Sequence, residues 1–106
     1  MTDKIVVLCT CETKEQAGSI ARHLVEHHLA ACVNILPAAR SVYRWKGAVE
    51  ESAELLLIVK TRRDVFPTLR AAIQKLHSYE VPEVIALPIV DGSESYLDWL
   101  DRELDA

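Results

Sequence analysis

Cys9 and Cys11 stand two residues apart in the run Val6-Val7-Leu8-Cys9-Thr10-Cys11. On an extended segment that spacing puts both side chains on one face, and a pair of thiols is a soft donor set suited to copper or zinc. The pattern is weaker than the doubled CxxC of a closed zinc site. Cysteine also fills cores as a small hydrophobe, a role that suits Cys32 within Ala30-Ala31-Cys32-Val33 and is equally open to Cys9. His23 and His27 lie four residues apart, close enough on a helix to reach one ion, with His28 beside them. Counted against the apolar positions of their own segment, they fall on its flank or solvated back, where a histidine needs no ligand.

The densest polar stretch is His77-Ser78-Tyr79-Glu80-Val81-Pro82-Glu83. It follows a helix end and enters a strand, so rigid elements aim its side chains. His77 and Glu83 offer imidazole and carboxylate donors for Cu(II) or Zn(II), with Cys9 adding a thiol from the neighbouring strand. The same stretch also reads as a plain turn, with His77 at a helix C-terminus and Pro82 setting the strand entry. Lys60 follows Leu55-Leu56-Leu57-Ile58-Val59, so its stem packs while its amine reaches the sheet end. With Tyr79 and Glu83 it forms the candidate lining of an intersubunit cleft for a small anion; a surface salt bridge is the simpler role. Asn34 and Arg62 are the only loose candidates for a phosphate-handling enzyme. Gly18, Gly47 and Gly92 are too scattered for a phosphate-gripping loop, and no nucleophile has an identifiable base and orienting group, so an enzyme is not expected. Glu50, Glu51 and Glu54 read as a solvated charge cluster.

Lys4 to Cys11 predicts a first strand, and Thr13 with Gln16 a capping box opening a helix whose apolar stripe runs through Ala17, Ile20, Ala21, Leu24, Val25 and His28. Ala31 to Trp45 predicts a long strand that Pro37 must bend or confine to an edge. Tyr43 and Trp45 share one of its faces. Lys46-Gly47-Ala48-Val49 predicts the hairpin connection and Ser52 to Thr61 the return strand. Asp64 caps a second helix with Pro67 in its first turn and Phe66, Leu69, Ile73 and Leu76 inward. Val81 to Val90 holds a fourth strand, and Ser93 caps a last helix carrying Tyr96, Leu97, Leu100 and Leu104. The order βαββαβ plus a terminal helix predicts an α+β, ferredoxin-like domain with both crossover helices on one side of the sheet. Val6-Val7-Leu8-Cys9 and Leu55 to Val59 are apolar on odd and even positions alike, so the other side must also be covered. A homo-oligomer is the economical cover, with Tyr43 and Trp45 in its interface and the terminal helix as the rival.

The 106 residues make one domain, 1–106, with a modest core. Net charge is −4, and the basic residues Arg40, Arg44 and Lys46 are followed at once by acidic ones, which argues against nucleic acid as a partner. No run is long and apolar enough for a secretory leader or a membrane span, and an odd three cysteines do not frame disulfides. A cytoplasmic location is expected.

Val7-Leu8-Cys9-Thr10, Leu29 to Ile35, Ser41 to Gly47, Leu57 to Thr61, His77 to Glu83 and Tyr96 to Leu100 follow one another as in the CutA family of divalent-cation tolerance proteins, which the chain resembles over nearly its whole length. The resemblance implies a homotrimer with PII-like architecture, its long hairpins joining sheets between subunits. It also implies a link to copper and other divalent-metal tolerance, and in a mammalian relative to acetylcholinesterase anchoring. Cys9 then corresponds to the first-strand cysteine implicated in copper binding, His77 to the histidine before a Ser-Tyr or Pro-Tyr pair, and Glu83 to the glutamate after the proline. Some relatives carry two adjacent histidines where this chain has Leu76-His77.

Overall fold

The computed structural model describes residues 2–106. Strand β1 (Lys4–Cys11) buries every second side chain, Ile5, Val7, Cys9 and Cys11, while Val6, Leu8 and Thr10 on its other face are partly covered. Helix α1 (Lys14–Glu26) starts at Thr13, whose hydroxyl accepts the Gln16 N–H at 3.1 Å. The expected capping box is only half made. The Gln16 amide donates to the Leu76 carbonyl at 3.5 Å and accepts the Ser78 hydroxyl at 2.9 Å, so it links α1 to a distant segment instead of returning to its own cap.

Strands β2 (Cys32–Trp45) and β3 (Ala48–Arg62) form the long hairpin. Its turn is tighter than expected, just Lys46-Gly47 with φ of 49° and 83°, and β3 begins at once. Two consecutive left-handed residues match the twist of the flanking strands. Pro37 falls in the bend foreseen for it: Leu36 pairs with Leu56 and Ala39 with Glu54, so β2 carries one extra residue, with Ala38 at φ 66°. A 3-10 turn (Arg63–Val65) precedes helix α2 (Phe66–Leu76). Asp64 is therefore not its cap; the carboxylate accepts from Arg62 Nε at 2.7 Å. Strand β4 is short (Ile85–Pro88), and in helix α3 (Glu94–Asp105) Ser93 caps through its backbone carbonyl, which accepts from Tyr96 and Leu97.

The sheet order is β2-β3-β1-β4 with every neighbouring pair antiparallel. Helices α1 and α2 lie on one face, where Ala17, Ile20, Leu24, Leu69 and Ile73 close over Val7, Cys9, Leu57 and Val59. Each fully buried Leu, Ile or Val contributes about 1.5–3 kcal/mol. The opposite face is covered at one end by α3, which packs Leu100 and Leu104 against Ala31. An ionic clasp holds it there: Asp101 takes Lys4 Nζ at 2.9 Å and Arg62 at 3.0 Å, and Asp105 takes Arg62 at 2.9 Å. The rest of that face, including Leu36, Ile85 and Leu87, has no cover from the described residues.

Candidate functional site

His77 closes α2 as its C-cap, and its ring turns inward against β1. Nδ1 accepts the Tyr79 N–H at 3.1 Å, which leaves the ring hydrogen on Nε2, donated to the Thr10 carbonyl at 2.7 Å. Nε2 also lies 3.7 Å from Cys11 Sγ. The donor atoms of Cys9, Cys11 and His77 all fall within 4.8 Å of one another, and all three residues are buried. β1 sets the two sulfurs by strand alternation, and the end of α2 delivers the imidazole from the far side. The Cys9 thiol donates to the Thr10 carbonyl at 3.8 Å. The interaction between the neighbouring thiols holds the Cys11 pKa below the ordinary range and, with burial, pushes Cys9 well above it. Two sulfurs and one imidazole form a donor set that fits a soft or borderline ion such as copper or zinc.

Glu83 stands outside this trio. It lines a cavity of about 710 Å³ with Thr10, Tyr43, Trp45, Glu54 and Tyr79, bounded by the hairpin and by the segment after α2. There Glu54, 7% exposed, accepts the Tyr79 hydroxyl at 2.5 Å. Burial and that carboxylate push the Tyr79 phenol above its usual pKa. Within one chain Lys60, expected with Tyr79 and Glu83 in an intersubunit cleft, does not line this cavity: its amine meets the Asn34 side chain across the β2–β3 pair. Among the described residues no lysine or arginine lines the cavity. Arg62 and Asn34 do not converge on an anion pocket either, since Arg62 is committed to Asp64, Asp101 and Asp105. Tyr43 and Trp45 are 43% and 39% exposed, unusual for such side chains.

Two residues gain a place here beyond the expected set Cys9, His77 and Glu83. Cys11 joins the cluster, and its signal was the shared strand face with Cys9. Glu54 leaves the solvated group in which Glu50 and Glu51 remain, because Tyr79, 25 residues away, covers it.

Among the described residues no helix is long and apolar enough to cross a membrane. The family model of the CutA1 divalent ion tolerance protein matches residues 5–103. A divalent-cation tolerance protein CutA from Thermus thermophilus is 55% identical over 95 residues, covering 90% of this chain and 92% of that one. Chloroplastic protein CutA of Arabidopsis thaliana is 48% identical over 96 residues, covering 91% of this chain; the chain spans about half, 53%, of that longer relative. The crystal structure of CutA from Xylella fastidiosa superposes with a TM-score of 0.95 at 38% identity, covering 98% of this chain and 100% of the other. The chain belongs to the CutA1 divalent ion tolerance family.

Proposed function

We propose that the chain is a non-enzymatic metal-binding protein of divalent-ion tolerance, working as a homotrimer and taking copper or zinc at Cys9, Cys11 and His77. The convergence of those three donors within 4.8 Å carries this reading. The family model and the Thermus thermophilus relative are named for divalent-ion tolerance and for no reaction. His77 positions the site as well as supplying a donor: its Nε2 must give up its hydrogen and the Thr10 carbonyl before it can ligate. Glu83, at the rim, raises the local negative charge through which a cation would pass. Three free thiols support a reducing, cytoplasmic setting.

The trimer rests on surface. Tyr43, Trp45, Val42, Val49, Leu36, Ile85 and Leu87 are uncovered in one chain, more apolar surface than a monomer usually shows. The sheet order supports a ferredoxin-like subunit with PII-like assembly. A second reading, a ligand module with an intersubunit cleft, is favoured by the 710 Å³ cavity. Its carboxylates mean that a small anion there would need positive charge from a neighbouring subunit. Calorimetric titration with copper and with zinc tests the first reading: C9A, C11A and H77Q should each weaken binding by at least about tenfold, while E83Q should weaken it less. Undiminished binding in all three variants removes the site. Tight binding of a small anion to the trimer, lost in K60A, would favour the second reading instead.

A further inference from the structure

A second donor pair sits on the outside of the molecule, where α1 ends. The rings of His23 and His27 stack with centroids 4.0 Å apart and planes 24° from parallel. His27 is the C-cap of α1; its backbone N–H donates to the His23 carbonyl at 3.1 Å, and its Nδ1 lies 2.9 Å from the same oxygen. A carbonyl oxygen only accepts, so Nδ1 carries the ring hydrogen and Nε2 is left as a bare lone pair. Metal-binding imidazoles are held in this way, the non-ligating nitrogen donating to a backbone carbonyl that fixes both tautomer and ring plane. His23 is half-buried one turn earlier, and among the described residues neither of its ring nitrogens has a hydrogen-bond partner.

We propose that His23 and His27 form a two-imidazole site for a borderline divalent ion such as Zn(II), separate from the thiol cluster, with water completing the shell. Metal–nitrogen bonds of about 2.0–2.1 Å place two adjacent ligating nitrogens about 3 Å apart. Rings whose centroids already lie 4.0 Å apart are within range of that separation once they turn to aim both lone pairs at one ion. Imidazole without thiolate suits zinc, nickel and copper(II) better than the softest ions. The two sites differ in access as well: His27 is exposed, whereas Cys9 and Cys11 are sealed in the core. The surface pair should load first and exchange fast.

The full chain is titrated with zinc at neutral pH by calorimetry, alongside H23Q, H27Q and the double variant C9A/C11A. Histidine ring nitrogens are followed in parallel by long-range proton–nitrogen correlation spectra. H23Q and H27Q should each lose one zinc ion per chain, or bind it at least about tenfold more weakly since the chelate is broken; C9A/C11A should keep that ion and lose the other. Before zinc is added, the His27 ring should show its hydrogen on Nδ1. Equal zinc stoichiometry and affinity in wild type, H23Q and H27Q overturn this site and leave the thiol cluster standing. A His27 hydrogen on Nε2 in the zinc-free protein also overturns it.

Discussion

His77 has two occupations that exclude one another in time. Without an ion it is a bolt: Nδ1 takes the Tyr79 amide, Nε2–H holds the Thr10 carbonyl, and the ring packs against Tyr79 with centroids 4.5 Å apart. Truncating it orphans both backbone groups, at about 1–3 kcal/mol for each one left buried. H77A is therefore expected to lower the urea midpoint with little change in slope, and an unchanged midpoint would mean that water takes over these bonds. The thiols behave differently. Cys9→Val keeps the volume and should leave stability within about 1.5 kcal/mol while cutting metal binding, so the same two measurements separate packing from ligation. Cys9 and His77 were legible in the sequence because each sits in an apolar or polar run that announces a role. Glu54 was not, because its burial depends on a pairing with Tyr79 that no local pattern encodes.

Among the elements, α3 depends most on charge. Asp101 is held below the ordinary carboxylate pKa by hydrogen bonds from Lys4 and Arg62, and Lys4 is raised by Asp3 and Asp101. A carboxylate whose folded pKa is depressed stabilises above its unfolded value of 3.8 and loses that contribution as pH falls through the lower folded value. For Lys4 the sense reverses: its share is complete below 10.5 and disappears as pH rises through the raised folded value. The clasp should thus hold α3 across the whole neutral range and let go in strong acid. Amide exchange along Glu94–Asp105 should accelerate ahead of α1 as pH falls below about 4. D101N should bring part of that acceleration to neutral pH, though the half-exposed carboxylates limit the effect to about 1 kcal/mol. If α1 and α3 open together at every pH, the clasp is not what secures the helix. Helix caps were the least legible feature here. Asp64 has the residue type of a cap, yet Arg62, two residues back, claims its carboxylate.

As a whole molecule, one chain is drawn out: its radius of gyration is 14.3 Å, against about 13 Å for a compact domain of this length. Its accessible surface is 6540 Å², against about 6,000 Å² for a monomer of this mass. The excess belongs to the hairpin, whose outer half carries Tyr43, Trp45, Val42 and Val49 with little to rest on. Sedimentation at micromolar concentration should give three times the 11.9 kDa chain mass, and W45D should shift it towards one chain while the far-ultraviolet spectrum persists. A wild-type mass of one chain would end the trimer proposal. The exposed apolar sheet face was readable from strands apolar on both faces. The proposed subunit count was not, since alternation records which faces are apolar and nothing about how many copies would cover them.

The extra residue in β2 acts as a change of reading frame. Before it, even-numbered residues such as Asn34 and Leu36 pair with the even positions Ile58 and Leu56; after it, odd-numbered Ala39, Ser41 and Tyr43 pair with the even positions Glu54, Ser52 and Glu50. One inserted residue thus decides which half of the outer hairpin's side chains looks towards which neighbour. Variation in length at Ala38 would do what no single substitution can, exchanging the aromatic set Tyr43 and Trp45 for the set Val42 and Arg44 in one step.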